Sequence, residues 1–232
     1  MARWQRAVGL LPTAGRVLDL GCAFGYGTRM LARTHQAYGL DASPRFIARA
    51  RRAAPEIPFA LAPAEALPYE DGFFDGVLLL DVLEHVRREE RVLAEVYRVL
   101  RPGGMLVLSV PHRGALAWLD SLNIWDFYAG GGSHPSDEVI PGGYPYHRHY
   151  AERDLRRLLG PRFTVRRVER TGLGLVEPLN LALLALCKGL LRSQWLYDRL
   201  VYLYYGAYIA EDLLRCGSAS YHLMIQAVRL PA

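Results

Sequence analysis

The run Val17-Leu18-Asp19-Leu20-Gly21-Cys22-Ala23-Phe24-Gly25-Tyr26-Gly27-Thr28 constrains this chain more than any other stretch, because it joins a buried strand to a helix through a turn crowded with small residues. Val17 to Leu20 suits a central parallel strand. Asp19 is a costly carboxylate there unless it sits at the strand's carboxyl end facing a polar ligand. Gly21 and Gly25 permit a sharp turn and an approach that a Cβ would obstruct. A helix over Thr28 to Thr34 then places a ligand at the edge where open α/β sheets bind nucleotide-type cofactors.

The second strand, Ala37 to Leu40, ends in Asp41, 20 residues beyond Gly21. That is the separation at which a strand-end acid reaches a ribose hydroxyl pair. Dinucleotide and other nucleoside cofactors share this geometry, so the turn must discriminate. A G-x-G-x-x-G fingerprint fails in both frames, since Ala23 stands at its second glycine counting from Gly21 and Met30 at its last glycine counting from Gly25. An NAD(P)-dependent oxidoreductase is therefore disfavoured.

Further motifs follow in order: Tyr38-Gly39-Leu40-Asp41-Ala42-Ser43, Ala64-Glu65-Ala66-Leu67-Pro68, Phe74-Asp75-Gly76-Val77 with Asp81-Val82-Leu83-Glu84-His85-Val86, and Leu100-Arg101-Pro102-Gly103-Gly104. With Asp19, Gly21 and Gly25 they resemble class I S-adenosylmethionine-dependent methyltransferases, in particular the type 11 group, whose first motif reads Asp-x-Gly-x-Gly-x-Gly and here has Ala23 for the middle glycine. The resemblance spans Val17 to Pro111. It implies a methyl transfer from S-adenosylmethionine, with S-adenosylhomocysteine as product. It also implies that Asp19, Gly21, Cys22, Ala23 and Gly25 line the methionine end, that Asp41 accepts the ribose hydroxyls, and that Ala42, Ala64 and Glu65 flank the adenine. Asp81, Val82 and Leu83 would lie beneath the sulfonium. Pro63 stands where relatives carry an acid for the adenine amino group, so that recognition must come partly from elsewhere.

Composition bounds the remainder. With 232 residues, of which 51% are apolar, the chain is long enough for one α/β domain and an elaboration. The start has no apolar signal core and the three cysteines Cys22, Cys187 and Cys216 show no pairing by spacing, which predicts a reducing cytoplasm. The net charge of +5 is almost entirely arginine, Lys188 being the sole lysine, and does not read as a nucleic-acid footprint. Strands are expected at Arg16–Leu20, Ala37–Leu40, Phe59–Ala62, Gly76–Leu80, Met105–Val110, Phe163–Val168 and Tyr221–Val228. Helices are expected at Thr28–Thr34, Pro44–Ala53, Glu89–Leu100 and Ala151–Leu159. The architecture is thus a Rossmann-like, doubly wound, seven-stranded, mostly parallel sheet with helices on both faces, in a single domain over 1–232.

Two segments exceed the minimal fold, whose cofactor half spans 16–111. Residues 115–150, with Gly130-Gly131-Gly132 and several aromatics, read as a lid over the acceptor, and Trp125, Tyr146, His147, His149 and Tyr150 are its candidate acceptor contacts. Residues 173–214 hold two apolar runs, each too short to span a bilayer, and read as a helical hairpin before the last strand. Its surface would be packed internally, pair with a second copy, or meet a membrane peripherally, the last suiting a lipid-like acceptor.

A sulfonium is already a strong methyl donor, so the protein needs chiefly to align the nucleophile and exclude water. His85, just after the fourth strand, is the candidate base for an acceptor that arrives protonated. Asp81, Glu84 and His85 also occupy i, i+3 and i+4. They are similar to the Glu-x-x-Glu-His of divalent-ion-dependent O-methyltransferases, which makes a metal site the alternative to a metal-free one. The expected reaction is transfer to an oxygen, before carbon or nitrogen, of a small or lipid-like acceptor. The alternative is an inactive cofactor-binding scaffold, which three retained carboxylates, Asp19, Asp41 and Asp81, argue against.

Overall fold

The computed structural model describes residues 2–115, 117–121, 123–124, 148–215 and 217–231. The apolar runs anticipated as strands become β1 (Arg16–Leu20), β2 (Gln36–Asp41), β3 (Phe59–Leu61), β4 (Phe74–Leu80), β5 (Leu100–Pro111), β6 (Phe163–Thr171) and β7 (His222–Arg229). Among the described residues these form one seven-stranded sheet of order β3-β2-β1-β4-β5-β7-β6. The pairs from β3 through β5 are parallel, and β7 runs antiparallel between β5 and β6. The strand order therefore reverses at β1 and β4, the switch point outside whose carboxyl ends α/β sheets bind ligands.

The strand period of two sorts the core into two layers. Leu18, Leu20, Val77, Leu79, Leu106 and Leu108 point to one face, where Val92, Leu93, Val96 and Val99 of α4 (Glu89–Val99) and Leu155 and Leu159 of α5 (Glu152–Leu159) cover them. Val17, Leu78 and Val107 point the other way, against Leu31 of α2 (Tyr26–Leu31) and Ala7 of α1 (Ala2–Gly9). Helix α3 (Pro44–Ala53) starts where it is expected, its Ser43 Oγ accepting from the Phe46 amide at 3.3 Å and Pro44 filling the first turn. Its Ile47 and Ala50 pack with Phe59 and Cys22.

Three local details differ from the sequence expectation. Helix α2 begins at Tyr26 and not Thr28, because Gly25 at φ 74° turns the chain directly into it. The Leu100–Gly104 stretch is not a turn ahead of the fifth strand but an irregularity within it. Leu100 already pairs with Phe74, the register then breaks, and pairing resumes between Gly76 and Met105, with Gly103 at φ 78°. Helix α1 carries no strong sequence signal, yet it lies against the sheet and reaches the carboxyl ends of the strands.

Between β6 and β7 stand α6 (Glu177–Leu183), which continues through a π-helical turn over Leu184–Leu190, and α7 (Gln194–Glu211). They share a small core of Leu183, Leu184, Cys187, Tyr197, Val201 and Tyr204. At their base, Glu211 accepts from the amides of Leu173, Leu175 and Val176. No helix among the described residues is long and apolar enough to cross a membrane.

Gly25 carries a double constraint, since its φ is 74° and a Cβ there would lie 2.8 Å from Phe59 Cζ. Gly25→Ala should therefore cost about 2–4 kcal/mol in urea denaturation, the sum of a left-handed backbone and an overpacked contact. A loss below about 1 kcal/mol would show that the turn relaxes around the methyl group.

Candidate active site

The strand ends at the switch point assemble a cleft. The Gly21 and Cys22 amides both donate to the Leu40 carbonyl, at 2.8 and 3.0 Å, which ties the first turn to the end of β2. Asp41 locks the same turn from its side chain, Oδ2 accepting from the Ala23 amide at 2.9 Å and Oδ1 from the Ser43 amide at 2.8 Å. Each oxygen keeps a further lone pair for a ligand. Asp19 is buried and accepts from Thr28 Oγ1 at 2.7 Å. Burial pushes its carboxyl up to about 6, the Thr28 hydrogen bond opposing the rise and the nearby Asp41 adding to it.

Three cavities meet here, and Asp81 borders each of them. The first, about 290 Å³, lies over the glycine turn between Arg3, Trp4, Asp19, Cys22 and Tyr208. The second, about 200 Å³, is bounded by Asp41, Ala42, Ala64, Glu65, Val82 and His85. The third, about 130 Å³, lies beyond His85 and is walled by Glu84, Glu177, Tyr204, Tyr208, Tyr221 and His222. Gly21 keeps the first two open to each other, for a Cβ there would meet Val82 Cγ2 at 2.2 Å.

Asp81 has φ 55° and accepts from Ser109 Oγ at 2.9 Å and from Arg3 Nη2 at 2.5 Å. Burial opposes the Arg3 charge, but Asp81, Tyr208, Asp212 and Glu84 surround it and hold its pKa above the usual arginine range. Among the described residues its buried Nη1 has no hydrogen-bond partner. Behind it, Tyr208 Oη lies 2.5 Å from His222 Nε2, and His222 Nδ1 lies 3.7 Å from Asp212 Oδ1. Burial, with Arg3 and His149 nearby, holds His222 well below the ordinary histidine pKa. Burial likewise raises Tyr208. Both shifts favour the neutral forms of the pair.

Of the anticipated cofactor residues, Asp19, Gly21, Cys22, Ala23, Asp41, Ala42, Ala64, Glu65, Asp81 and Val82 border the first two cavities, and His85 stands between the second and third. Gly25 and Leu83 do not line them. Gly25 caps α2 against Phe59, and Leu83 is fully buried in the core with its carbonyl accepting from Arg148 Nη2 at 2.9 Å. Tyr150 is a packing residue too, its hydroxyl lying within hydrogen-bond reach of both the Leu83 carbonyl and the Glu89 carboxylate, to one of which its single proton is donated. His149 lies 3.4 Å from Asp120 Oδ2 at the edge of the third cavity. Trp125, Tyr146 and His147, with most of the segment expected as a lid, lie outside the described residues. Among the described residues no three His, Cys, Asp or Glu side chains converge as a metal site, Asp81, Glu84 and His85 included. Sequence reading missed Arg3, Trp4, Tyr208 and His222, which come from elements far from the motifs. An arginine and a tryptophan in an eight-residue amphipathic helix were the available signal for the first two.

Comparison with known proteins agrees with this geometry. Residues 18–108 match the family model of the methyltransferase domain. A probable S-adenosylmethionine-dependent methyltransferase of Mycolicibacterium smegmatis is 35% identical over 102 residues, covering 43% of this chain and 40% of that protein. A 2-methyl-6-phytyl-1,4-hydroquinone methyltransferase of a Synechocystis species is 34% identical over 114 residues, covering 47% of this chain and 36% of that protein. The chain thus spans less than half the length of these two relatives. An S-adenosylmethionine-dependent methyltransferase structure from Mesorhizobium loti superposes with a TM-score of 0.62 over 99% of this chain and 98% of that one, at 24% identity, and shows the fold. Over residues 18–108 the chain is thus similar to a methyltransferase domain, and its fold is that of the superposed S-adenosylmethionine-dependent methyltransferase.

The raised Asp19 pKa sets a pH dependence. The folded state holds this proton up to about pH 6 while the unfolded chain releases it near the ordinary 3.8, so stability falls as pH rises through that window. Asp19→Asn should match the parent in thermal stability below pH 4 and exceed it above pH 6, by on the order of 2 kcal/mol. Parallel curves for the two proteins would mean that Asp19 is not desolvated.

Proposed function

We propose that this protein is a methyltransferase that uses S-adenosylmethionine and transfers the methyl group by in-line displacement to an oxygen of a small or lipid-like acceptor. The observation that carries this reading is the meeting of three cavities at Asp81, with His85 between the second and third; we assign the first two to the cofactor and the third to the acceptor. The cofactor supplies a methyl group on a sulfonium that needs no further activation. The residues present fit it. Asp41 offers free lone pairs to a ribose, and Ala42, Ala64, Glu65 and Val82 form a shallow slot for adenine. The partnerless Arg3 Nη1 suits the methionine carboxylate, with Asp19 at the same end facing the amino group.

His85 borders both the cofactor and the acceptor side, where it takes the proton that an acceptor hydroxyl loses as its oxygen bonds to carbon. Tyr204, Tyr208 and Tyr221 wall the acceptor cavity, His149 lies beside its Asp120 wall, and Trp125, Tyr146 and His147 belong to the segment proposed to close over it. A lipid-like acceptor is supported by the apolar hairpin that contributes Tyr204 and Tyr208, and by the phytyl hydroquinone in one relative's name. A cytoplasmic location completes the proposal. No step requires a divalent ion.

Isothermal titration with S-adenosylhomocysteine, with NADH in a parallel run, tests the cofactor. One-site binding of the former alone is expected, and Asp41→Ala should weaken it by about 1.5–3 kcal/mol, as for a hydrogen bond to a charged group. Binding of neither compound would support the scaffold alternative, and binding of NADH the oxidoreductase. An acceptor screen over hydroquinones, catechols and aliphatic alcohols, with and without Mg²⁺, tests the chemistry. On an active acceptor His85→Gln should lower the rate about 10²-fold or more while leaving S-adenosylhomocysteine affinity unchanged. An unchanged rate would remove His85 as the base.

A further inference from the structure

Helix α7 is apolar on two faces. Tyr197, Val201 and Tyr204 turn inward onto α6, as their spacing of four, three and four residues with Tyr208 requires. The outer face is apolar too. Trp195 is 66% exposed, Tyr202 72% and Leu203 64%, and across the hairpin bend Leu186, Leu190 and Leu191 are 45%, 75% and 50% exposed. A helix packed on a soluble domain by one face normally turns charge outward on the other. Apolar residues all round mark a helix that is covered on both sides.

The charges around this face say what covers it. Between Leu184 and Ala210 the chain carries Lys188, Arg192 and Arg199 against the single carboxylate Asp198. Asp198 is engaged within the helix by Gln194 Nε2 at 2.7 Å. Arg199 lies over the Trp195 ring at 5.0 Å, and Arg192 stands exposed at the bend with φ 49°. Leucine and tryptophan bordered by arginine match the boundary of an anionic bilayer, where the apolar groups enter the acyl edge and the cations meet headgroup phosphates. A twofold contact between copies would instead oppose the exposed Arg192 and Arg199 to their own copies.

The hairpin is also anchored for this role. Glu177 accepts from Ser121 and Tyr204, Asn180 bonds Ser121 and Tyr197, and Glu211 gathers three amides at the base. Since no described helix is long enough to cross a bilayer, the contact is peripheral.

We propose that the exposed surface of the α6/α7 hairpin, Leu186, Leu190, Leu191, Trp195, Tyr202 and Leu203 with Arg192 and Arg199, docks the protein on anionic lipid surfaces, while Lys188 turns inward over the Tyr197 ring. The test is cosedimentation of the full chain with vesicles of dioleoylphosphatidylcholine alone and of its equimolar mixture with dioleoylphosphatidylglycerol. Binding to the mixture should exceed binding to the neutral vesicles by about tenfold or more and weaken with salt. The double variant Leu190→Glu/Trp195→Glu and the charge variant Arg192→Ala/Arg199→Ala should each lose it, with S-adenosylhomocysteine affinity, where present, and melting temperature retained. Should the charged variants fail to fold, the wild type and the milder Trp195→Phe are compared by fluorescence quenching with brominated lipid, and Trp195 should carry most of the quenching. Equal binding to both vesicle types, no binding to either, or variants that bind like the parent would overturn the proposal. So would a wild-type dimer in light scattering that the double variant converts to monomer, which would make this face a subunit contact.

Discussion

One carbonyl holds the site together. The Leu40 oxygen accepts from both Gly21 and Cys22, so the turn after β1 is pinned to the end of β2, and Asp41 repeats the connection from its side chain through Ala23. Neither link is possible unless β1 and β2 pair in register as parallel neighbours, with Leu20 opposite Leu40. The cleft is therefore a consequence of sheet pairing, and the glycine-rich turn acts as a rigid edge for a ligand. Gly21, held at φ 85° with Val82 close behind it, shows how little room the arrangement leaves.

The second feature of the site is the gathering of distant elements on Asp81. Arg3 comes from the first helix, Ser109 from β5, and Tyr208 with Asp212 from the end of the hairpin. Arg6 Nη2 also donates to the Asp212 carbonyl at 2.8 Å, joining the first helix to the hairpin directly. An arginine buried among carboxylates stays charged because its neighbours offset the loss of hydration, and the spare Nη1 is then a fixed donor for an anionic group. The acceptor cavity is made in the same way, by Glu177, Tyr204, Tyr208, Tyr221 and His222 from the insertion and the last strand. Cofactor recognition thus rests on the parallel half of the sheet, and the surroundings of the acceptor rest on additions to it.

The parts of the fold most legible in the sequence were those with strong local physics. Val17 to Leu20, interrupted only by Asp19, and Val77 to Leu80 are apolar runs because both faces of these strands are covered, and Ser43-Pro44 starts α3 as a cap and first turn should. Boundaries slipped where the backbone and not the side-chain pattern decides, as at Gly25, whose left-handed conformation begins α2 early, and at Gly103, which sits within a strand irregularity. Leu83 and Tyr150 could not be placed from sequence, since a residue beside a motif can turn to the cavity or to the core, and both turn to the core.

By itself the sequence determined the alternation of buried strands and amphipathic helices, the acids at the ends of β1, β2 and β4, and hence the cofactor edge of the sheet, because these follow from periodicity and from the cost of burying a carboxylate without a purpose. Only the tertiary structure decided that Arg3 reaches Asp81, that Tyr208 meets His222, and that the hairpin exposes one apolar face while burying the other. Those contacts join residues up to 78 positions apart, and nothing local in the chain encodes which of its many arginines and tyrosines the packing of two additions will bring to one carboxylate.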